Sequence, residues 1–209
     1  MTMESGDPNG LCSSSRAADP SGVLFDGTLH RARSGTAVTG LDGHQVDDFW
    51  AWAYANVMTN TNRGVLAEYL VAAALGVLEA PRVDWDAVDL RYRGRPIEVK
   101  SAGYLQAWRQ QQLSRPIFSI APHLPDSTIT GLPQVAALHS DCYVFCLFTP
   151  TRHEDANPLD VGNWQFYPVA TTRLPITQKS LGLTALTGLA APVPFEGLRS
   201  AVDRELGLS

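Results

Sequence analysis

The segment Asp89-Leu-Arg-Tyr-Arg-Gly-Arg-Pro-Ile-Glu98-Val-Lys100 leaves this chain few ways to fold. Residues 88–92 and 95–100 are strand-like, and Arg93-Gly94 between them supplies the glycine that a two-residue hairpin turn needs. Such a turn sets Tyr92 opposite Arg95, Leu90 opposite Ile97 and Asp89 opposite Glu98. Directly paired residues hold their Cβ atoms about 4.5–5.5 Å apart. Side chains alternate along a strand, so Lys100 shares the Glu98 face while Ile97 and Val99 point the other way. Two carboxylates that close repel each other unless a cation sits between them. The pattern asks for a metal.

Composition sharpens the reading of Lys100. Of 16 basic residues only Lys100 and Lys179 are lysines; the rest are arginine. A lysine ammonium is a compact point charge with a tunable pKa, which a guanidinium is not. Two residues after a metal-binding glutamate, it can orient an attacking water or meet negative charge developing on a phosphate. The plainer alternative is a surface hairpin with a Glu-Lys pair.

The flanks carry further acids and helices. Residues 62–76 are rich in alanine and leucine, with Asn62 as N-cap and Gly76 as stop. Val65, Leu66, Tyr69, Leu70 and Ala73 make the expected apolar stripe, with Glu68 at its border between the small residues Gly64 and Ala72. Residues 101–113 read as a second helix entered from the lysine strand. Its N-terminus, with Ser101, would favour a phosphate, and Gln106 and Arg109 would lie on its first turns.

Gly64-x-x-x-Glu68, Asp89, Glu98-x-Lys100 and a following helix with Gln106 together resemble the PD-(D/E)XK nuclease superfamily, over about residues 62–113. The resemblance implies an α/β fold with a restriction-endonuclease-like core (αβββαβ), a mixed β-sheet flanked by helices. It implies a catalytic set of Glu68, Asp89, Glu98 and Lys100 around Mg2+, with Mn2+ as a substitute. Asp89 and Glu98 would be direct ligands and the Val99 carbonyl a third donor. Glu68 would bind through water or at a second metal position. Ser101, Gln106 and Arg109 would contact substrate. No proline precedes Asp89, and Asp84 and Asp86 offer alternative acids. The hairpin register favours Asp89, leaving Asp86 as a supporting group or second ligand. The implied activity is hydrolysis of phosphodiester bonds, in DNA before RNA, by an endonuclease of bacterial repair, restriction or defence. A silent nucleic-acid-binding or assembly protein on the same fold is the alternative.

The remaining sequence bounds these expectations. Residues 1–40, rich in Gly, Ser, Asp and Pro, read as a flexible arm, and 41–209 as a single domain with extra C-terminal strands and a helix. No signal segment or membrane-spanning run is apparent, so a cytoplasmic location is the default. Cys142 and Cys146 sit in an apolar run and read as reduced core thiols. Residues 46–57 look helical and are crowded with Phe49, Trp50, Trp52 and Tyr54. Core packing, with part buried in a dimer, is the plain expectation for these rings, and base stacking the sharper one. Residues 116–121, 142–148 and 164–170 read as strands, the second buried on both faces, and 195–206 as a terminal helix. A net charge of −5 argues mildly against tight, general duplex binding and points to a partner, a restricted substrate or a modest affinity, the partner being a second copy in a homodimer or another protein. Arg91, Arg93, Arg95, Arg109 and Arg115 still cluster around the site.

Overall fold

The computed structural model describes residues 32–79, 82, 88–122 and 136–208. In chain order the elements are α1 (Val46–Ala53), α2 (Asn60–Leu75), β1 (Leu90–Tyr92), β2 (Arg95–Gly103), β3 (Ile117–Ser119), β4 (Cys142–Phe148), β5 (Trp164–Ala170), β6 (Ser180–Gly182), α3 (Leu183–Leu189) and α4 (Leu198–Leu206). The chain divides into Met1–Arg33 and Ser34–Ser209 as separate units. Most of the expected arm, with Cys12, lies outside the described residues.

Strand β4 organises the larger unit. Its seven residues are all apolar and all buried, so it must be covered on both faces. The main sheet runs β1-β2-β4-β5, with β2 parallel to β4 and the other neighbours antiparallel. Cys142, Val144, Cys146 and Phe148 meet Ala67, Leu70, Val71 and Leu75 of α2 and Leu198 and Val202 of α4. Tyr143, Phe145 and Leu147 face the opposite layer, built from Phe118, Leu181 and Leu186. That layer is the two-stranded β3-β6 sheet with α3. The result is a mixed sheet with helices on one face and a small sheet plus helix on the other, within the α/β class expected. Both core cysteines are free and buried, as read from sequence.

The hairpin register is the one read from the turn. Leu90 pairs with Ile97 and Tyr92 with Arg95. Arg93 and Gly94 both take positive φ, 49° and 76°, as a two-residue turn matched to strand twist requires.

Several expectations need correction. Residues 101–113 are not a helix. Strand β2 runs on to Gly103, because Ser101, Ala102 and Gly103 continue the parallel pairing with Cys146, Leu147 and Phe148, and irregular chain follows. A seven-pair ladder with a fully buried partner outweighs local helix propensity. No helix N-terminus therefore faces the hairpin from this side. Only two strands among the described residues lie between α2 and the crossover to β4, and the described part of that crossover holds β3 and no helix. The finer αβββαβ order is not reproduced there.

Helix α2 starts three residues earlier than expected, capped by the Thr59 hydroxyl, which accepts the Asn62 amide at 3.2 Å; Gly76 ends it in the left-handed region. It is also turned on its axis. Arg63, Ala67, Leu70, Val71, Ala72 and Leu75 are buried, while Tyr69 is 55% exposed. Helix α1 buries none of its residues, so its rings do not join the core.

Candidate metal and phosphodiester site

Strand β1 is three residues long and begins at Leu90, whereas β2 continues past the point where β1 can pair with it. The main-chain groups of β2 from Val99 onward thus lack a strand neighbour on that edge. Asp89, the residue just before β1, turns its carboxylate into the gap, where Oδ2 accepts the Val99 amide proton at 2.7 Å. A strand residue directs its N–H and C=O to the same neighbour, so the Val99 carbonyl points at this edge too. The short strand creates the site.

Three further groups approach Asp89. Glu98 lies on the sheet face opposite Ile97 and Val99, only 5% exposed, in register with Tyr143 of β4. Its carboxylate accepts from the Lys100 ammonium on its own face, and at 3.4 Å from the Ser140 hydroxyl. Glu68 comes from α2, on the other side of the sheet. Arg82 holds it, with Nε at 2.5 Å from Oε2 and Nη2 at 3.4 Å from Oε1. Lys100 is about a third exposed while the Glu68 side chain is largely buried, so the site reaches solvent mainly through Lys100.

The charges reflect this proximity. Burial, then the negative charges of Glu98 and Glu68, push the Asp89 carboxyl up to about 7; the Val99 amide and Lys100 only partly offset this. Burial also drives the Cys146 thiol well up, and Asp89 and Glu68 add to that effect from across the helix layer. Burial pulls the Arg82 guanidinium down, but its bond to Glu68 and the charges of Glu68, Asp89 and the Tyr54 phenol outweigh it. A carboxyl that stays half-protonated near neutrality, between two other acids, marks a place short of positive charge.

The expected residues divide into two groups. Glu68, Asp89, Glu98 and Lys100 come together around the open edge of β2. Ser101 does not join them: alternation sends it to the helix face, opposite Glu98 and Lys100, and its buried Oγ has no hydrogen-bond partner. Gln106 is 8% exposed, and its amide donates to the Ser114 hydroxyl at 3.1 Å and weakly to the Gly103 carbonyl. It braces the loop after β2 rather than facing solvent. Arg109 is exposed in that loop. Asp86, like Asp84, lies outside the described residues.

Two residues of the site gave no sequence signal. Arg82 falls in a stretch without periodicity, and Ser140 precedes a strand like many serines.

Among the described residues no three Asp, Glu, His or Cys side chains form a ready cage for a metal ion. The donor chemistry nevertheless fits magnesium, which binds through few protein oxygens and keeps several waters. Asp89, Glu98 and the Val99 carbonyl are hard oxygen donors around one edge, and the raised Asp89 carboxyl is the deficit a cation would fill. Glu68 is committed to Arg82. Among the described residues no helix is long and apolar enough to cross a membrane.

No protein-family model, no curated protein and no solved structure matches this chain.

Proposed function

We propose that this protein is a metal-dependent phosphodiesterase of the PD-(D/E)XK kind, acting on nucleic acid, DNA in preference to RNA. The observation that carries the reading is the Asp89 carboxylate seated on the open edge of β2 at the Val99 amide, in the field of Glu98, Glu68 and Lys100. Asp89, Glu98 and the Val99 carbonyl would hold Mg2+ or Mn2+. When bound, the ion would supply positive charge to the scissile phosphate.

The chain's own residues supply the rest. Lys100 is the one site cation with solvent access that is not a guanidinium. With Glu98 engaged by a bound metal, its ammonium would be free to orient the attacking water and to meet the charge that develops on the phosphate. Arg82 holds Glu68 in place. Of the exposed hairpin arginines, Arg93 and Arg95 face Asp203 and Asp141, and Arg91 offers a phosphate contact.

A specific observation favours a second reading, a silent nucleic-acid-binding or assembly protein. Each acid already has a partner: Glu68 has Arg82, Glu98 has Lys100 and Asp89 has the Val99 amide. One experiment separates the two. Plasmid, linear duplex, single-stranded DNA and RNA are incubated with the protein and Mg2+ or Mn2+, beside a Glu98→Ala control. Metal-dependent cleavage lost in the control supports the enzyme. Binding without cleavage under every condition sinks it.

A further inference from the structure

Helix α1 buries no residue, yet it and its C-cap carry four exposed rings: Phe49 at 53%, Trp50 at 37%, Trp52 at 81% and Tyr54 at 49%. Residues 50 and 54 lie one turn apart on one side, while 49 and 52 pair on another. A helix that docks on a protein gathers its apolar residues into a single stripe, usually with aliphatics among them. This helix has rings on two sides and, apart from Val46, only alanines between them. Ring faces are what it offers.

The Tyr54 end of α1 lies toward the candidate site. Asn62 Nδ2 donates to the Asn56 carbonyl at 3.0 Å, tying the turn after α1 to the first turn of the helix that carries Glu68. The Tyr54 phenol is within electrostatic reach of Arg82, which grips Glu68. The two acids of α1 stand at its other end and serve its own cap and loop. Asp47 accepts from the Ser34 hydroxyl and the Gly35 amide, and Asp48 from the Gln45 amide.

Charge selects the occupant. Duplex binding draws most of its affinity from phosphate neutralisation, and a chain of net charge −5 has little to give. Base stacking does not depend on net charge and strengthens binding by roughly tenfold or more per base. A duplex covers its base faces; an unpaired strand presents them. We propose that Trp50 and Tyr54 form a stacking platform for unpaired bases beside the Asp89 site, making single-stranded nucleic acid its substrate class. The substrate assignment rests on the phosphodiesterase reading, whereas the platform is tested independently of it.

The test is fluorescence anisotropy of a labelled oligothymidylate and of a duplex of equal length, with the full chain in EDTA, where no cleavage intervenes. The single strand binds at least about tenfold more tightly than the duplex, and with a shallower salt dependence. Trp50→Ala and Tyr54→Ala each weaken strand binding by about tenfold, Trp50→Phe retains most of it, and circular dichroism is unchanged in all three. Equal or tighter duplex binding, or unaltered strand binding in both alanine variants, overturns the proposal. So does sedimentation showing a dimer that the same variants dissolve, since the rings then serve a second copy. Strand binding that the variants weaken, with no cleavage by the native chain in Mg2+, refutes the phosphodiesterase and leaves the platform. Metal-dependent duplex cleavage untouched by the variants does the reverse.

Discussion

The Asp89 carboxylate accepts the Val99 amide proton at 2.7 Å, filling the place of a strand that starts one residue later. One side chain thereby satisfies the edge of β2 and stands between Glu98 and Glu68, each of which raises its pKa. Structural and chemical roles meet in the same carboxylate, so its substitutions separate them by the atoms they keep.

Asp89→Asn keeps an oxygen for the Val99 amide and removes the charge. The folded carboxyl titrates near 7 against an ordinary 3.8, so between about pH 4 and 7 the folded protein holds a proton that the unfolded chain has released. Asp89 thus carries no penalty below pH 4 and a growing one up to pH 7. Without metal, the native protein loses stability across that window, by at most about 1.4 kcal/mol per pH unit. Urea midpoints measured from pH 4 to 8 should show this slope in the native chain and a flatter one in Asp89→Asn.

Lys100→Ala should abolish cleavage while leaving the fold and most magnesium binding intact. It also strips the nearly buried Glu98 of its cation, which costs about 1–3 kcal/mol without metal. Added Mg2+ should recover that loss in thermal melts by binding the folded state. Full nuclease activity with unchanged metal dependence would remove lysine from the mechanism.

Gly103 ends β2 where it meets Phe148. A methyl group there would lie 3.1 Å from the Phe148 Cβ and 3.2 Å from its carbonyl oxygen, at the last pair of the parallel ladder. Gly103→Ala should destabilise by about 1–3 kcal/mol in urea unfolding, because β2 and β4 cannot separate without loosening both layers. A neutral result would show that the end of β2 is freer than its pairing implies.

Arg63 is 3% exposed, yet its contacts are with neutral groups: the Leu105 carbonyl at 2.8 Å and the Asn60 side chain at 2.8 Å. It fastens the start of α2 to the loop beyond β2. Arg63→Ala removes that tie, leaves a cavity and orphans the Leu105 carbonyl, for a loss of about 2–4 kcal/mol in urea unfolding. Burial lowers the guanidinium pKa, so this is a strained place for a charge. Arg63→Met should therefore cost clearly less than Arg63→Ala.

Local signals made the hairpin legible. Arg93-Gly94 set the turn and the turn set the register, which put Leu90 on Ile97 and Asp89 at the level of Glu98. The uninterrupted apolar run at 142–148 announced a doubly covered strand in the same way. The segment after Lys100 was not legible. Ser101–Gly103 have weak preferences of their own, and what holds them extended is Cys146–Phe148, more than forty residues away. Helix α2 was found but its facing was misread, because Val65, Leu66 and Tyr69 look more apolar than Ala67 and Arg63. Close packing on the sheet favours the small alanine, and the arginine's bond to Leu105 offsets its burial.

The sequence by itself determined the hairpin, its turn, the central strand and the shared level of Asp89, Glu98 and Lys100. Those depend on turn chemistry and alternation, which act over a few residues. Only the tertiary structure decided that Arg82 holds Glu68, that Ser101 and Gln106 turn inward, and that the aromatic helix stays exposed. Such outcomes depend on which distant surfaces compete for a side chain, and burial between distant segments carries no periodic trace along the chain.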